Sequence, residues 1–392
     1  MATLLGTWEL GRGYGHIAHL APLAQALNAR GRKMKAAVRC PATAGAVPDV
    51  PFAAILQAPA YEGTVRPQPT LTYAQVIADA GFADASAAIG LIRAWLALFD
   101  RTAPDAVIAE HAPASLLAAH VAGLPAAMIG SGWAVPPPER PLPSLMPWRE
   151  IGDAERAAAD APADAVVRAV CRAFGAPMLE GLAALIAQLP AYLTTLPELD
   201  PYGPRRGATY YGVMDGFRPH RPASWPVGSG RRAFAYLPFD HALAPALAGA
   251  LGALGWPTVW HCTQVAPFAL PPNIVHTLQP VDLVEAFADC DLLLSRGGHA
   301  TACEALMAGR PHFILPDTLD TILLARRLSI GRFGAGTVAN ADATGIRAAI
   351  EALVDDGEVA AALAEARARY LGYRPAAAAA QLAERMLAEL RL

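Results

Sequence analysis

The 392-residue sequence predicts an α/β protein built from two Rossmann-like domains, each around a parallel sheet. Three observations carry that expectation. Short apolar runs alternate with Ala-rich helical stretches at spacings that suit parallel strands joined by crossover helices. Two of the runs end in glycine-rich turns that open into helices. The length is that of two cores rather than one, and the periodic pattern dissolves in the middle of the chain.

In chain order, residues 2–7 read as a first strand, residues 16–30 as a helix stopped at Gly31, and residues 34–38 as the next strand. Residues 106–109, 114–122 and 126–129 repeat strand, helix, strand. From 197 to 230, Pro, Gly, Arg and aromatic residues interrupt every helical period. Periodicity resumes with a strand at 232–237, a helix at 242–254 and a strand at 258–261. A strand at 292–294, a helix at 302–308 and a strand at 312–315 follow, and beyond Asp342 the pattern is mostly helical. The expected division is a first domain over 1–212, a linker over 213–230, a second domain over 231–374 and a last helix over 375–392. Arg205, Arg206, Arg218, Arg221, Arg231 and Arg232 gather around that linker, as a solvated surface or as one side of an anion-binding cleft.

Composition narrows the class. A formal net charge of -3 gives no electrostatic case for nucleic acid as a partner. The five cysteines are scattered, with neither a C-x-x-C pair nor zinc-ligand spacing, and read as buried thiols in a reducing, cytoplasmic compartment. Residues 1–9 lack the basic and long apolar regions of a secretory signal. Residues 112–138 and 242–260 carry no formal charge, but Pro and Gly break both, so they read as helix-plus-strand units and no transmembrane segment is expected. Peripheral contact with a bilayer and the oligomeric state are left open by the composition.

The junction Leu292-Leu293-Leu294-Ser295-Arg296-Gly297-Gly298-His299-Ala300-Thr301 passes from strand through a tight loop into a helix. Such a junction aims unpaired amides and the positive end of a helix dipole at one spot, where the natural guest is a phosphate. Arg296 adds a fixed positive charge, and Glu304, about one turn inside the helix, suits sugar hydroxyls. The second turn, Gly11-Arg12-Gly13-Tyr14-Gly15-His16, lacks the third glycine of a dinucleotide fingerprint. What it does is deliver an imidazole to the C-terminal edge of a sheet, the edge where ligands of open α/β sheets bind. A helix cap or a packed turn histidine is the structural alternative.

The segment Gln279-Pro280-Val281-Asp282-Leu283, then Arg296-Gly297-Gly298, Thr301, Glu304-Ala305-Leu306, Gly309-Arg310-Pro311, Pro316 and Asp320, resembles the donor-binding signature of the UDP-glycosyltransferase superfamily. Gly15-His16 with Pro22-Leu23, Ala26-Leu27 and Arg30-Gly31 resembles its N-terminal signature. The resemblance implies a GT-B fold, with two parallel sheets facing across a cleft, and an inverting transfer of sugar from an NDP-sugar, here a UDP-sugar, to a small acceptor. It assigns the diphosphate to Arg296, Gly297, Gly298, His299 and Thr301, and the ribose to Glu304. Asp320 and Thr321 would meet the transferred sugar, and the backbone around Gln279 and Val281 would face the base. His16 would be the general base, a task that suits an imidazole titrating near neutrality. The nucleotide sugar is a co-substrate, and neither a metal nor another cofactor is expected.

Four departures stand out. The family usually has His at the position of Arg296, though arginine keeps a phosphate-pairing charge. Its plant members often have Gln at the position of Thr321. A Gly-Ser turn that ends the first strand of the second domain is replaced by Leu237-Pro238-Phe239-Asp240, with Asp240 and His241 at the same edge. The Asp that orients the base is matched by Glu110, one methylene longer, with His111 beside it as a rival and His19 as a weaker alternative base. Tyr61, Tyr73, Phe82, Trp95 and the loop 130–148, with Trp133 and Trp148, offer as a group surface for an apolar or aromatic acceptor, although each taken singly reads more often as core. Two other readings compete: a sugar-nucleotide epimerase on the same fold, and a non-catalytic accessory homologue.

Overall fold

The computed structural model describes residues 2–11, 13–47, 49–61, 70–214, 221–337 and 340–392. Arg12 of the glycine-rich turn and Arg218 of the basic group lie outside the described residues. The chain forms two compact units, one of Met1–Thr195, Arg205–Phe217 and Arg374–Leu392, the other of Leu196–Pro204 and Arg218–Tyr373.

The first unit carries β1 (Thr3–Trp8), β2 (Lys33–Val38), β3 (Ala54–Gln57), β4 (Ala106–Glu110), β5 (Ala126–Gly130) and β6 (Ala191–Leu193). They pair in the order β3-β2-β1-β4-β5-β6, all parallel. Successive side chains leave a strand on opposite faces, and both faces here are covered. Leu5, Val107 and Ala109 pack on one side with Trp95, Leu117 and Val167. Leu4, Ala106 and Ile108 pack on the other with Leu20, Leu23 and Leu27 of the helix Ile17–Asn28. The last helix, Pro375–Glu389, buries Ala379, Leu382, Ala383 and Met386, a stripe at helical spacing, in that second layer. Tyr192 of β6 ties it down by donating to Glu389 at 2.6 Å. The helices Ala85–Thr102 and Asp153–Phe174 were not anticipated from the sequence; Asp84 caps the first by accepting the amides of Ser86 and Ala87.

The second unit carries β7 (Ala233–Tyr236), β8 (Thr258–His261), β9 (Ile274–Thr277), β10 (Leu292–Ser295), β11 (His312–Ile314) and β12 (Gly334–Gly336). Their order is β12-β11-β10-β7-β8-β9, again all parallel. Phe234, Val259 and Leu293 build part of its core with Ala286, Phe287 and Cys290. Residues 196–204 join this unit, although the sequence pattern had placed them before residue 212 in the first. Glu198 is the reason. Its carboxylate accepts from Tyr370 at 2.6 Å and pairs with Arg369, while its carbonyl accepts from Arg327 at 3.1 Å.

In each sheet the strand order reverses once, between β1 and β4 in the first and between β7 and β10 in the second. Such switch points open a crevice at the carboxyl ends of their strands, where ligands of doubly wound sheets bind. The uncharged stretches 112–138 and 242–260 resolve into helix Pro113–Ala122 with β5 and helix Ala244–Leu254 with β8. Among the described residues no helix is long and apolar enough to cross a membrane.

Candidate functional site

At the first switch point Trp8 and Glu110 stand opposite each other at the ends of β1 and β4. After Trp8 the chain turns through Gly11 and Gly13, with φ of 86° and 88°, values that glycine adopts without the penalty of a Cβ. His16 then occupies the start of the helix Ile17–Asn28 without capping it. Its Nδ1 donates to Glu110 Oε2 at 2.7 Å, and its ring stacks on Trp8 with centroids 4.9 Å apart. Glu110 is 2% exposed, so the pair meets away from competing water. With the proton of Nδ1 directed at a carboxylate, the lone pair of Nε2 is left to act as a base.

Two glycines make room for this pair. A Cβ on Gly11 would lie 2.1 Å from His16 Nε2, and one on Gly130 would lie 3.4 Å from Glu110 Oε1 and 3.2 Å from Ala134. The sequence had named Gly11 within the glycine-rich turn and Gly130 at the start of an aromatic loop, but neither their closeness to this pair nor Trp8 was anticipated. The extra methylene of Glu110 therefore does not prevent the contact. His111 does not share it: its ring lies 6.0 Å from that of His16, centroid to centroid. His19 is turned to Thr194, whose hydroxyl lies 2.7 Å from its Nδ1.

The sequence reading also missed Glu9. Its carboxylate, 4% exposed, accepts the amides of Ala114 and Ser115 at 3.0 and 2.5 Å, satisfying the start of helix Pro113–Ala122 from a distant strand. Burial pushes its pKa up to about 8, with those two amides opposing the shift. A lone carboxylate ending an apolar strand was the available signal. Of the aromatics proposed for the acceptor, Phe82 and Trp95 are fully buried in the core, while Tyr61 and Trp133 are half-buried and Trp148 is exposed.

At the second switch point, Ser295 ends β10 and Gly297 and Gly298 lead into the helix His299–Ala308. Gly297 has φ of 100°, and a Cβ there would meet Ile314 and Thr321 at 3.1 Å, so the loop can lie this close only with glycine. The Gly297 amide donates to Ser295 Oγ at 3.0 Å, and Ser295 shares a 2.7 Å hydrogen bond with His312 of β11. His312 is buried and its pKa is pushed down to about 3, so the loop rests on a neutral imidazole. The Gly297 amide is thus already engaged within the loop. No side chain caps the helix that follows.

Arg296 is half-exposed, with its Nε 3.9 Å from Asp317 Oδ1, a loose pair that a phosphate can replace. His241, after β7, has its pKa lowered first by burial; Asp317 opposes the shift and Arg296 adds to it. Its Nδ1 accepts the Leu243 amide at 3.2 Å. His299 also has its pKa held down by burial. Glu304 is half-buried, Thr301 is 7% exposed, and Asp320 is exposed in the first turn of helix Leu319–Ile330.

Thr321 has another task. It is 3% exposed, and its hydroxyl accepts the amides of Asp317 and Thr318 at 3.2 and 3.1 Å in a capping box that starts the same helix. The Val281 side chain is in the core, while Gln279 is exposed. Among the described residues no group of three or more His, Cys, Asp and Glu side chains could hold a metal ion.

No protein-family model matches the sequence, and no curated protein does. Solved structures match over nearly the whole chain. The glycotransferase of kitacinnamycin is 20% identical with a TM-score of 0.71 over 98% of both chains. The calicheamicin glycosyltransferase CalG4 is 19% identical with a TM-score of 0.71 over 99% of this chain and 98% of its own. The spinosyn rhamnosyltransferase SpnG, complexed with thymidine diphosphate, is 20% identical with a TM-score of 0.65 over 97% of this chain and 100% of its own. With its two parallel six-stranded sheets, the chain has the GT-B fold of these glycosyltransferases.

Proposed function

We propose that this protein is an inverting glycosyltransferase that moves a sugar from a nucleoside diphosphate to a small acceptor hydroxyl. The observation that carries the reading is the 2.7 Å pairing of His16 Nδ1 with Glu110 at the first switch point, which presents Nε2 as a base. In the reaction, Nε2 takes the proton of the acceptor hydroxyl as its oxygen bonds to the anomeric carbon. The bond from that carbon to the diphosphate breaks on the opposite face, so the configuration inverts. Glu110 stabilises the imidazolium that forms. Charge gathers on the departing diphosphate, where Arg296 and the amides from Gly298 to Thr301 supply the positive field that a metal ion supplies elsewhere. Glu304 holds the ribose, Asp320 meets hydroxyls of the sugar, and the backbone at Gln279 faces the base. UDP is the proposed nucleotide, with TDP as the comparison ligand.

The test is His16→Ala. Transfer should fall by about two to four orders of magnitude, the usual worth of a positioned base. UDP or TDP affinity by calorimetry should stay within about twofold, since less than 0.5 kcal/mol is at stake. Equal loss of both would remove His16 from the role of base. Product analysis with donor alone separates an epimerase, which converts the donor without an acceptor.

A further inference from the structure

His111 is a polar residue at the first switch point that this proton transfer leaves unused. It follows Glu110 directly, and its φ of 46° lies in the left-handed region that residues with a Cβ avoid. The amides of Glu9 and Leu10 donate to its carbonyl at 3.4 and 3.1 Å and hold the turn. The turn sets the ring against His16 and Tyr73, both with centroids 6.0 Å away. The residue is 5% exposed, and among the described residues neither ring nitrogen has a hydrogen-bond partner.

A packing role would be filled more cheaply by a leucine or phenylalanine, because buried polar atoms without partners destabilise a fold. Backbone strain and unsatisfied polarity coincide on the residue beside the base, the pattern kept where a ligand completes the bonding. We infer that His111 hydrogen-bonds a second oxygen of the acceptor, next to the hydroxyl that His16 deprotonates, so that preferred acceptors carry two neighbouring oxygens, as in a 1,2-diol or a hydroxy-ketone.

The geometry suits that class. With ring centres 6.0 Å apart and hydrogen bonds of about 2.8 Å, oxygens on adjacent carbons can each face one imidazole. Burial holds the His111 ring neutral, with its pKa pushed down to about 3, so it offers one donor and one acceptor and takes a hydroxyl or a carbonyl. The ring is covered in this structure, so an acceptor reaches it by displacing that cover with its own apolar body. The inference rests on the glycosyl-transfer reading but concerns binding, and binding can be measured without transfer.

The test compares 2,3-dihydroxynaphthalene with 2-naphthol on the full chain by calorimetry, for wild type, His111→Leu and His111→Asn. Asparagine tolerates the left-handed turn and keeps a donor and an acceptor. The wild type should bind the diol at least about tenfold more tightly, the worth of one hydrogen bond to a buried partner. His111→Leu should bring the ratio close to one, and His111→Asn should restore part of it. A ratio that His111→Leu leaves unchanged overturns the assignment, as does a wild type that binds neither compound or both equally. Should His111→Leu fail to fold, the imidazole nitrogen resonances of wild-type His111 decide: the diol must shift them and 2-naphthol must not. Transfer is then assayed with donor present. A binding ratio that follows His111 without any transfer keeps the assignment and strikes the transferase reading instead.

Discussion

The two switch points are built from opposite materials. In the first unit the edge consists of side chains locked together: a stacked indole, an imidazole and a carboxylate that is 2% exposed. In the second it consists of backbone, with a glycine loop braced from below by Ser295 and His312 and flanked by a half-exposed Arg296 and an exposed Asp320. A reactive lone pair needs fixed orientation and protection from water, which buried side-chain pairs provide. A multiply charged ligand needs amides and cations that remain open to solvent until it arrives, because enclosing unpaired charge is costly. Under the proposed reaction, the same fold prepares one edge for proton transfer and the other for anion binding.

That contrast can be broken, and the largest expected effect comes from Gly11→Ala. The new Cβ would fall 2.1 Å from His16 Nε2 and force the ring aside. Displacement of a reacting group by about an ångström costs on the order of a hundredfold in kcat. Nucleotide affinity, measured in parallel by calorimetry, should not move; if it falls as far as kcat, the two edges are not separate devices. Next comes Arg296→Ala, which should weaken UDP or TDP binding about tenfold or more, the worth of a charge-assisted hydrogen bond. Titration of an acceptor against the same variant should give the wild-type value, and a loss there would count against the division of labour.

The most gradual effect is a slope in stability with pH. Folded Glu9 keeps its proton up to about pH 8, whereas the unfolded chain releases it near 4.5. The native state therefore holds an extra proton between those values, and stability is full below pH 4.5 and declines as pH rises through 8. The decline is at most about 1.4 kcal/mol per pH unit for one group. Urea unfolding of the wild type at several pH values should show it, and Glu9→Gln should flatten the curve. A profile that Gln leaves unaltered would mean that the helix start at Pro113 does not depend on the state of this carboxyl.

Much of this was legible in the sequence, for a physical reason. Strands followed by glycine turns and helices are local patterns, so the loop at Arg296 to Gly298 and the turn at His16 could be located from neighbouring residues. Glu110 was found because the family resemblance places an acidic residue at the end of a later strand of the first domain, and the apolar run 106–109 leads straight into it. The helices Ala85–Thr102 and Asp153–Phe174 went unassigned, although Asp84 caps the start of the first and Gly175 stops the second. Thr321 was read as a sugar contact through its position in a motif, yet its hydroxyl is engaged by the backbone of its own helix start. Trp95 and Phe82 were named within a group of acceptor aromatics although each alone reads more readily as core, and they are core; an aromatic side chain in isolation does not reveal which face of its helix or loop is buried.

The sequence by itself determined the α/β class, the two glycine junctions and the identity of the imidazole and the arginine, since these depend on residues within a few positions of one another. Tertiary structure decided what no local pattern holds. It paired His16 with Glu110 across 94 residues, and it set Trp8 under the imidazole and Gly11 beside it. It sent the Glu9 carboxyl group to a helix more than a hundred residues away and left His111 at a left-handed φ beside Glu110, with neither ring nitrogen partnered among the described residues. Each of these relations depends on which strands lie side by side, and that order is fixed by burying both faces of a sheet at once rather than by any single segment of the chain.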